Sequence, residues 1–221
     1  MNNKILLGLT AGVGSLILAG TATADFQGLS GDYMDLGGGL TTWRIYADID
    51  AGGRVDAVYG NGTNVLTISA ADGLYQNLDF GGNTSVEINS GFFGFVPSIE
   101  WDSYVTIGAL YQDGTPFGNN ALQNIGVDFA SWNAGGDLTT DNGTWFITPD
   151  DAQGGEIDGR VLIGQFTILG SGPLDVTVNL QGRDGSTVWS SEGASATFIV
   201  PAPGALVLLG LAGLATRRRR K

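Results

Sequence analysis

The chain has 221 residues, enough for one domain of ordinary size, and carries no cysteine and no histidine. The first absence means that a domain of this length must hold together by its core alone; the second removes the usual general base and the commonest zinc ligand, and with them most hydrolase and metalloenzyme chemistries. All 22 acidic residues lie between Asp25 and Val200, against four cations there (Arg44, Arg54, Arg160 and Arg183), so that segment carries −18 while the whole chain carries −12; such a surface repels phosphate backbones and argues against nucleic acid as a partner.

Met1–Ala24 is laid out as a secretory signal peptide. Lys4 supplies the positive start, Ile5–Ala19 the apolar stretch, and Ala22-Thr23-Ala24 the small-x-small pattern, so cleavage is expected after Ala24. The exported part then runs from residue 25 to about 200.

That part alternates turn signals with short β-branched and aromatic runs. Asn61-Gly62, Asp72-Gly73, Asp113-Gly114, Asn142-Gly143 and Asp184-Gly185 supply the positive φ that tight turns need. Between such turns lie strand candidates in chain order: Thr41–Ala47, Val65–Ile68, Thr84–Ile88, Tyr104–Gly108, Asn124–Phe129, Gly143–Ile147, Arg160–Leu169, Leu174–Gln181 and Ala196–Val200. Leu174, Val176, Val178 and Leu180 alternate with Asp175, Thr177, Asn179 and Gln181, which predicts one core face and one solvent face. Arg160–Leu169 is apolar almost throughout and reads as a strand buried on both sides. No internal window carries a helical period, so helix is expected at the two termini, with a turn near Phe117–Leu122. The whole predicts an all-β fold, an antiparallel β-sandwich of jelly-roll-like kind, in one domain over residues 25–200.

Candidate chemistry is sparse. Asp48, Asp50 and Asp56 are spaced like part of an oxygen-ligand calcium loop but lack the remaining ligands; a second acidic loop holds Asp141, Asp150, Asp151, Glu156 and Asp158. From the second, Asp150, Asp151 and Asp158 are the candidate ligands of a structural Ca²⁺. Glu100 and Asp102 flank Trp101; on a strand they would share a face and could serve a glycoside hydrolase. No Gly-x-Ser-x-Gly and no phosphate loop is present. Five tryptophans, at 43, 101, 132, 145 and 189, are candidates for core or for a sugar platform. Trp132, in the polar stretch Ser131–Gly136, is the one expected to be exposed and to bind a ligand.

The C-terminal stretch reads Pro201-Ala202-Pro203, then an uncharged apolar run Gly204–Ala215, then Arg217, Arg218, Arg219, Arg220 and Lys221. A helix over the twelve residues of the run covers roughly 18 Å, short of a bilayer core of about 30 Å, and the cations would stay on the cytoplasmic side. This stretch resembles the PEP-CTERM sorting signal, with Ala202 in place of the usual Glu. The resemblance implies export, anchoring in the membrane through a short transmembrane segment, handling by an exosortase-type enzyme, and delivery to the cell surface or extracellular matrix.

A second resemblance rests on Trp43–Ala47 with Val58-Tyr59-Gly60, and on Gly143–Gln153 with Val161–Thr167. These segments are similar to a group of uncharacterised exported proteins of planctomycete-like bacteria, many with the same kind of tail; the likeness implies a shared fold and no activity. The expectation is therefore a non-enzymatic surface or matrix protein with a structural or adhesive role, in contact with extracellular polysaccharide. The alternatives are a carbohydrate-binding module and a carboxylate-based glycoside hydrolase.

Overall fold

The computed structural model describes residues 26–200. The expectations for the signal peptide with its cleavage site at Ala22 and Ala24, and for the tail with Pro201, Ala202, Pro203 and Arg217–Arg220, lie outside the described residues.

Eleven strands follow one another: β1 (Phe26–Gly37), β2 (Leu40–Ile49), β3 (Gly53–Tyr59), β4 (Leu66–Ala70), β5 (Tyr104–Val105), β6 (Gln123–Ile125), β7 (Leu138–Thr140), β8 (Thr144–Phe146), β9 (Arg160–Leu169), β10 (Leu174–Asp184) and β11 (Thr187–Phe198). They form an antiparallel β-sandwich. One sheet has the order β1-β2-β9-β5; the other runs β6-β8-β3-β10-β4-β7, with β11 also paired to β10. The chain crosses between the sheets after β2, β4, β5, β8 and β9.

The core lies between the sheets because the alternation in the strands points inward from both. Ile45, Val55, Val58, Leu66, Ile68, Leu138, Ile168, Val176, Val178 and Leu180 are all buried in one cluster with Trp43, Trp132, Trp145, Phe166 and Trp189. Each such side chain contributes roughly 1.5–3 kcal/mol of burial. The sandwich is closed along one side by aromatic contacts from β11 to β1 and β2: Trp43 on β2 lies 5.3 Å from Phe198 and Phe26 on β1 lies 6.3 Å from Trp189.

Strand β10 is the spine of the larger sheet. β11 follows it along its whole length, while its other edge is shared: Leu174–Thr177 pairs with β4 and Asn179–Asp184 with β3. The break between β3 and β4 falls beside Asn179. Its side-chain amide donates to the carbonyls of Tyr59 (2.9 Å) and Asn64 (2.7 Å), and its oxygen accepts from Gly193 N–H (2.8 Å). Asn179 is thus buried rather than on the solvent face that alternation assigned it, because it replaces ladder bonds that two interrupted neighbours cannot make. Gly60 turns this corner; a Cβ there would sit 1.9 Å from the carbonyl oxygen of Thr140.

Arg160–Leu169 is buried on both faces, as its composition predicts. Val161, Ile163, Phe166 and Ile168 face the core. The opposite face is covered by residues 71–122, which contain four of the departures from the sequence reading. Thr84–Ile88 is a 3₁₀ turn at Ser85–Glu87, Glu100 lies in another at Pro97–Trp101, a third spans Ser90–Phe92, and the strand expected at Tyr104–Gly108 keeps only two residues. The Glu87 carboxylate, accepting from both Thr84 N–H and Thr84 Oγ–H at 2.9 Å, winds the first of these and stops a strand from forming. One further 3₁₀ turn (Ala152–Gly154) and a single helical turn, α1 (Ala130–Asn133), complete the non-strand elements, so helix is not confined to the termini. No helix among the described residues is long and apolar enough to cross a membrane.

Candidate functional site

The outer face of the β1-β2-β9 sheet is only partly covered. Arg44 and Tyr46 project from it on β2, opposite the buried Trp43, Ile45 and Ala47, and Arg160 and Leu162 project beside them from β9. Gly108, Leu110, Pro116 and Phe117 from one segment and Gly155, Ile157 and Asp158 from another complete the lining. Together they line a half-open cleft of about 190 Å³.

Two arginines define its chemistry. Arg160 donates to Asp32 on β1 at 2.7 Å, and its guanidinium carbon sits 4.0 Å above the Tyr46 ring, a cation–π contact. Arg44 is held differently. Its Nε–H donates to Gln165 Oε1 at 3.0 Å and an Nη2–H donates to the Tyr111 hydroxyl at 3.2 Å. Gln165 is fully buried, and its amide nitrogen donates to the carbonyls of Glu100 (2.9 Å) and Asp102 (3.0 Å), which turns its oxygen toward Arg44. Burial is the first cause that raises the Tyr46 and Tyr111 hydroxyl pKa above the ordinary phenol value, so both stay protonated at neutral pH.

Most of the carboxylates singled out in the sequence are engaged elsewhere. Asp56 is clamped between Arg54 (2.6 Å) and Arg183 (3.1 Å). Asp48 accepts from Ser30 Oγ–H at 2.6 Å, and Asp50 from Gln27 Nε2–H at 3.0 Å. Asp151 caps the turn at Ala152–Gly154 by accepting from Gln153 N–H, Glu156 accepts from Gly52 N–H and Gly159 N–H, and Asp158 sits in a turn at φ 56°. Asp141 and Asp150 stand exposed. Among the described residues no three carboxylates converge as a metal-binding group, so Asp150, Asp151 and Asp158 are not brought together as the spacing predicts. A capping Asp and a left-handed turn point the side chains of one short loop in different directions. The two acidic loops do meet each other, through Glu156 on Gly52 N–H and Glu156 N–H on the Gly53 carbonyl.

Glu100 and Asp102 do not share a strand face. Glu100 is in the 3₁₀ turn; Asp102 ends that turn, fully buried. The Asp102 carboxylate accepts three backbone N–H groups, from Asn77 (2.7 Å), Gly82 (2.9 Å) and Ser103 (3.0 Å), and so ties residues 77–82 to the cover. Burial pushes its pKa up to about 6, against the lowering effect of those three donors.

Trp132 is the other correction. Expected on the surface, it is fully buried, 5.7 Å from the Phe129 ring and 5.9 Å from Phe166. The polar character of Ser131–Gly136 is real, but α1 turns Trp132 inward while Ser131 and Ala134 face out. Trp43, Trp145 and Trp189 are buried as well, and Trp101 is half-buried. What the sequence reading missed was Arg44. The available signal was alternation, which sets Arg44 and Tyr46 on the face opposite Trp43 and Ile45, in a segment with only four cations.

No family model matches the chain, and no curated protein matches it. Among solved structures the chain is similar to the GAE domain of GGA2p from Saccharomyces cerevisiae, at 7% identity and a TM-score of 0.28, over 82% of this chain and 94% of that one. A likeness of that degree carries no argument about the sheets or the cleft, which rest on the geometry above.

Proposed function

We propose that the protein is an exported, non-enzymatic surface or matrix component whose β-sandwich has a structural or adhesive role and whose outer-face cleft is its point of contact with a ligand. The signal-peptide layout of Met1–Ala24 and the resemblance of Pro201–Lys221 to a PEP-CTERM signal support export and handling by an exosortase-type enzyme. The observation that carries the adhesive reading is the division of labour among charges. Several of the carboxylates first considered for catalysis or calcium hold turns, loops and arginines of the fold (Asp56, Asp102, Asp151 and Glu156), whereas Arg44 faces the cleft with no ion-pairing carboxylate among the described residues. The same cleft favours a carbohydrate-binding module as the second reading, with Arg44, Tyr46 and Phe117 in the place first given to Trp132.

Mass spectrometry of the protein recovered from fractionated cells tests export. The expected result is a chain beginning at Asp25 in the surface or matrix fraction, with the tail cut near Pro203 or retained in the membrane. A cytoplasmic chain that keeps Met1–Ala24 would overturn the reading.

A further inference from the structure

We infer that the cleft between β2, β9 and the Leu110–Phe117 wall binds one carboxylated sugar ring, an isolated uronate of an otherwise neutral glycan, since a segment at −18 repels a dense polyanion. The inference rests on the adhesive reading for where such a glycan is met, and on the cleft alone for its chemistry.

Arg44 is the anchor. Of the four cations in the sandwich, Arg54 and Arg183 share Asp56 and Arg160 pairs with Asp32; Arg44 has no carboxylate within ion-pairing distance among the described residues. In a segment at −18, a guanidinium with a merely structural task would be expected to sit against one of the many acids. Instead it is braced by two neutral acceptors, Gln165 Oε1 and the Tyr111 hydroxyl, which fix its plane without neutralising it. Those contacts use two of its five N–H donors, leaving three without a protein acceptor among the described residues. A planar, oriented fork with free donors is what a carboxylate needs for bidentate binding.

The rest of the cleft sets the size and the second contact. At about 190 Å³ it is smaller than the roughly 300–1,000 Å³ pockets that take drug-sized ligands, so it has room for one ring rather than an extended segment. Leu110, Pro116 and Phe117 give it an apolar wall, and Arg160 adds a second cation at the floor. A uronate carries its carboxylate on a ring with an apolar C–H face, so one residue can meet Arg44 and the wall together. The side chain of an acidic peptide offers the carboxylate without the ring and leaves the wall uncovered. Asp158 on the rim repels ligands with closely spaced charges, which favours one carboxylate per ring.

Isothermal titration of the full chain in neutral detergent micelles tests this with four probes: glucuronate, its methyl ester, glucose and N-acetylphenylalanine. Glucuronate is expected to bind in the millimolar range, the methyl ester and glucose at least about tenfold more weakly, with glucuronate affinity falling as salt rises. Arg44→Gln should lose about tenfold or more and Arg44→Lys less, since it keeps charge but not the fork. Phe117→Ala should weaken glucuronate and glucose alike. Melting curves of each variant separate a lost site from a lost fold. Equal binding of ester and acid, unchanged binding by Arg44→Gln in a folded protein, or no glucuronate heat up to ~50 mM would overturn the proposal. Tighter binding of N-acetylphenylalanine would overturn it too, in favour of a peptide terminus. Because the titration is done on purified protein, its failure leaves the export reading intact, and a cytoplasmic location leaves the site intact.

Discussion

The two faces of the β1-β2-β9 sheet are built on opposite principles. The inner face is apolar and is held by packing: Trp43, Ile45, Val161, Ile163, Phe166 and Ile168 meet the other sheet across a closed core. The outer face is polar and is held by hydrogen bonds to irregular backbone. Gln165 binds the carbonyls of Glu100 and Asp102, Thr167 shares a hydroxyl–hydroxyl bond with Thr42 and donates its N–H to Ser103 Oγ, and Asp102 gathers three amides from two loops. A packed face tolerates loss in proportion to volume, whereas a hydrogen-bonded cover fails when one acceptor is removed and several donors are stranded. The irregular cover also leaves a cleft over Arg44, Tyr46 and Arg160 on the outer face.

The comparison can be broken most forcefully on the packed side. Trp132→Ala should destabilise by about 3–5 kcal/mol in denaturant unfolding, as removal of a buried indole does; a change within ~0.5 kcal/mol would mean the residue is exposed after all. On the hydrogen-bonded side, Asp102→Ala strands three amides and should cost about 3 kcal/mol, without enlarging the main core. Asp102 also makes stability depend on pH. Its folded pKa of about 6 lies above the ordinary aspartate value of 3.8, so the folded state binds the proton more tightly. The stabilising contribution is complete below about pH 4 and is lost as pH rises through 6. Melting temperature should therefore climb as pH falls from 7 to 4, by the equivalent of roughly 2–3 kcal/mol from this group, and the climb should flatten in Asp102→Asn. Asn179→Ala, which leaves two carbonyls and one amide unpaired, should cost about 2 kcal/mol by the same unfolding assay. Arg44→Gln should be the mildest, within about 0.5 kcal/mol, because Arg44 is half-buried and holds no ion pair; a larger loss would make it part of the scaffold rather than of a site.

What was legible in the sequence follows the same divide. Leu174–Gln181 and Arg160–Leu169 could be read because a period of two, or an unbroken apolar run, is a direct consequence of facing one or two buried layers. Asn179 escaped because a polar residue at an outward position gives no sign that a broken neighbour needs its amide. The cover at residues 71–122 escaped because its 3₁₀ turns are set by single contacts such as Glu87 with Thr84, which leave no periodic trace. Trp132 was misplaced because one helical turn is too short to show a period, so polar neighbours looked like a polar site. Arg44 was visible only as an outward position and one of few cations; its role needed Gln165, 121 residues away, to be placed beside it.

Phe198 has a mechanical consequence. Its ring packs on Trp43 and against Gly31, where even a Cβ would come within 2.9 Å of it, and its backbone register matches it to Leu174 at the start of β10. A pull entering the sandwich from the C-terminal side meets this wedge before any other buried core residue, with only the half-buried Val200 ahead of it. Peeling β11 requires the ring to leave the gap between the two sheets first, and only then can the ladder to β10 open pair by pair. Tension on a tether would thus be resisted at one aromatic latch, with the load carried into both sheets at once instead of down a single edge strand.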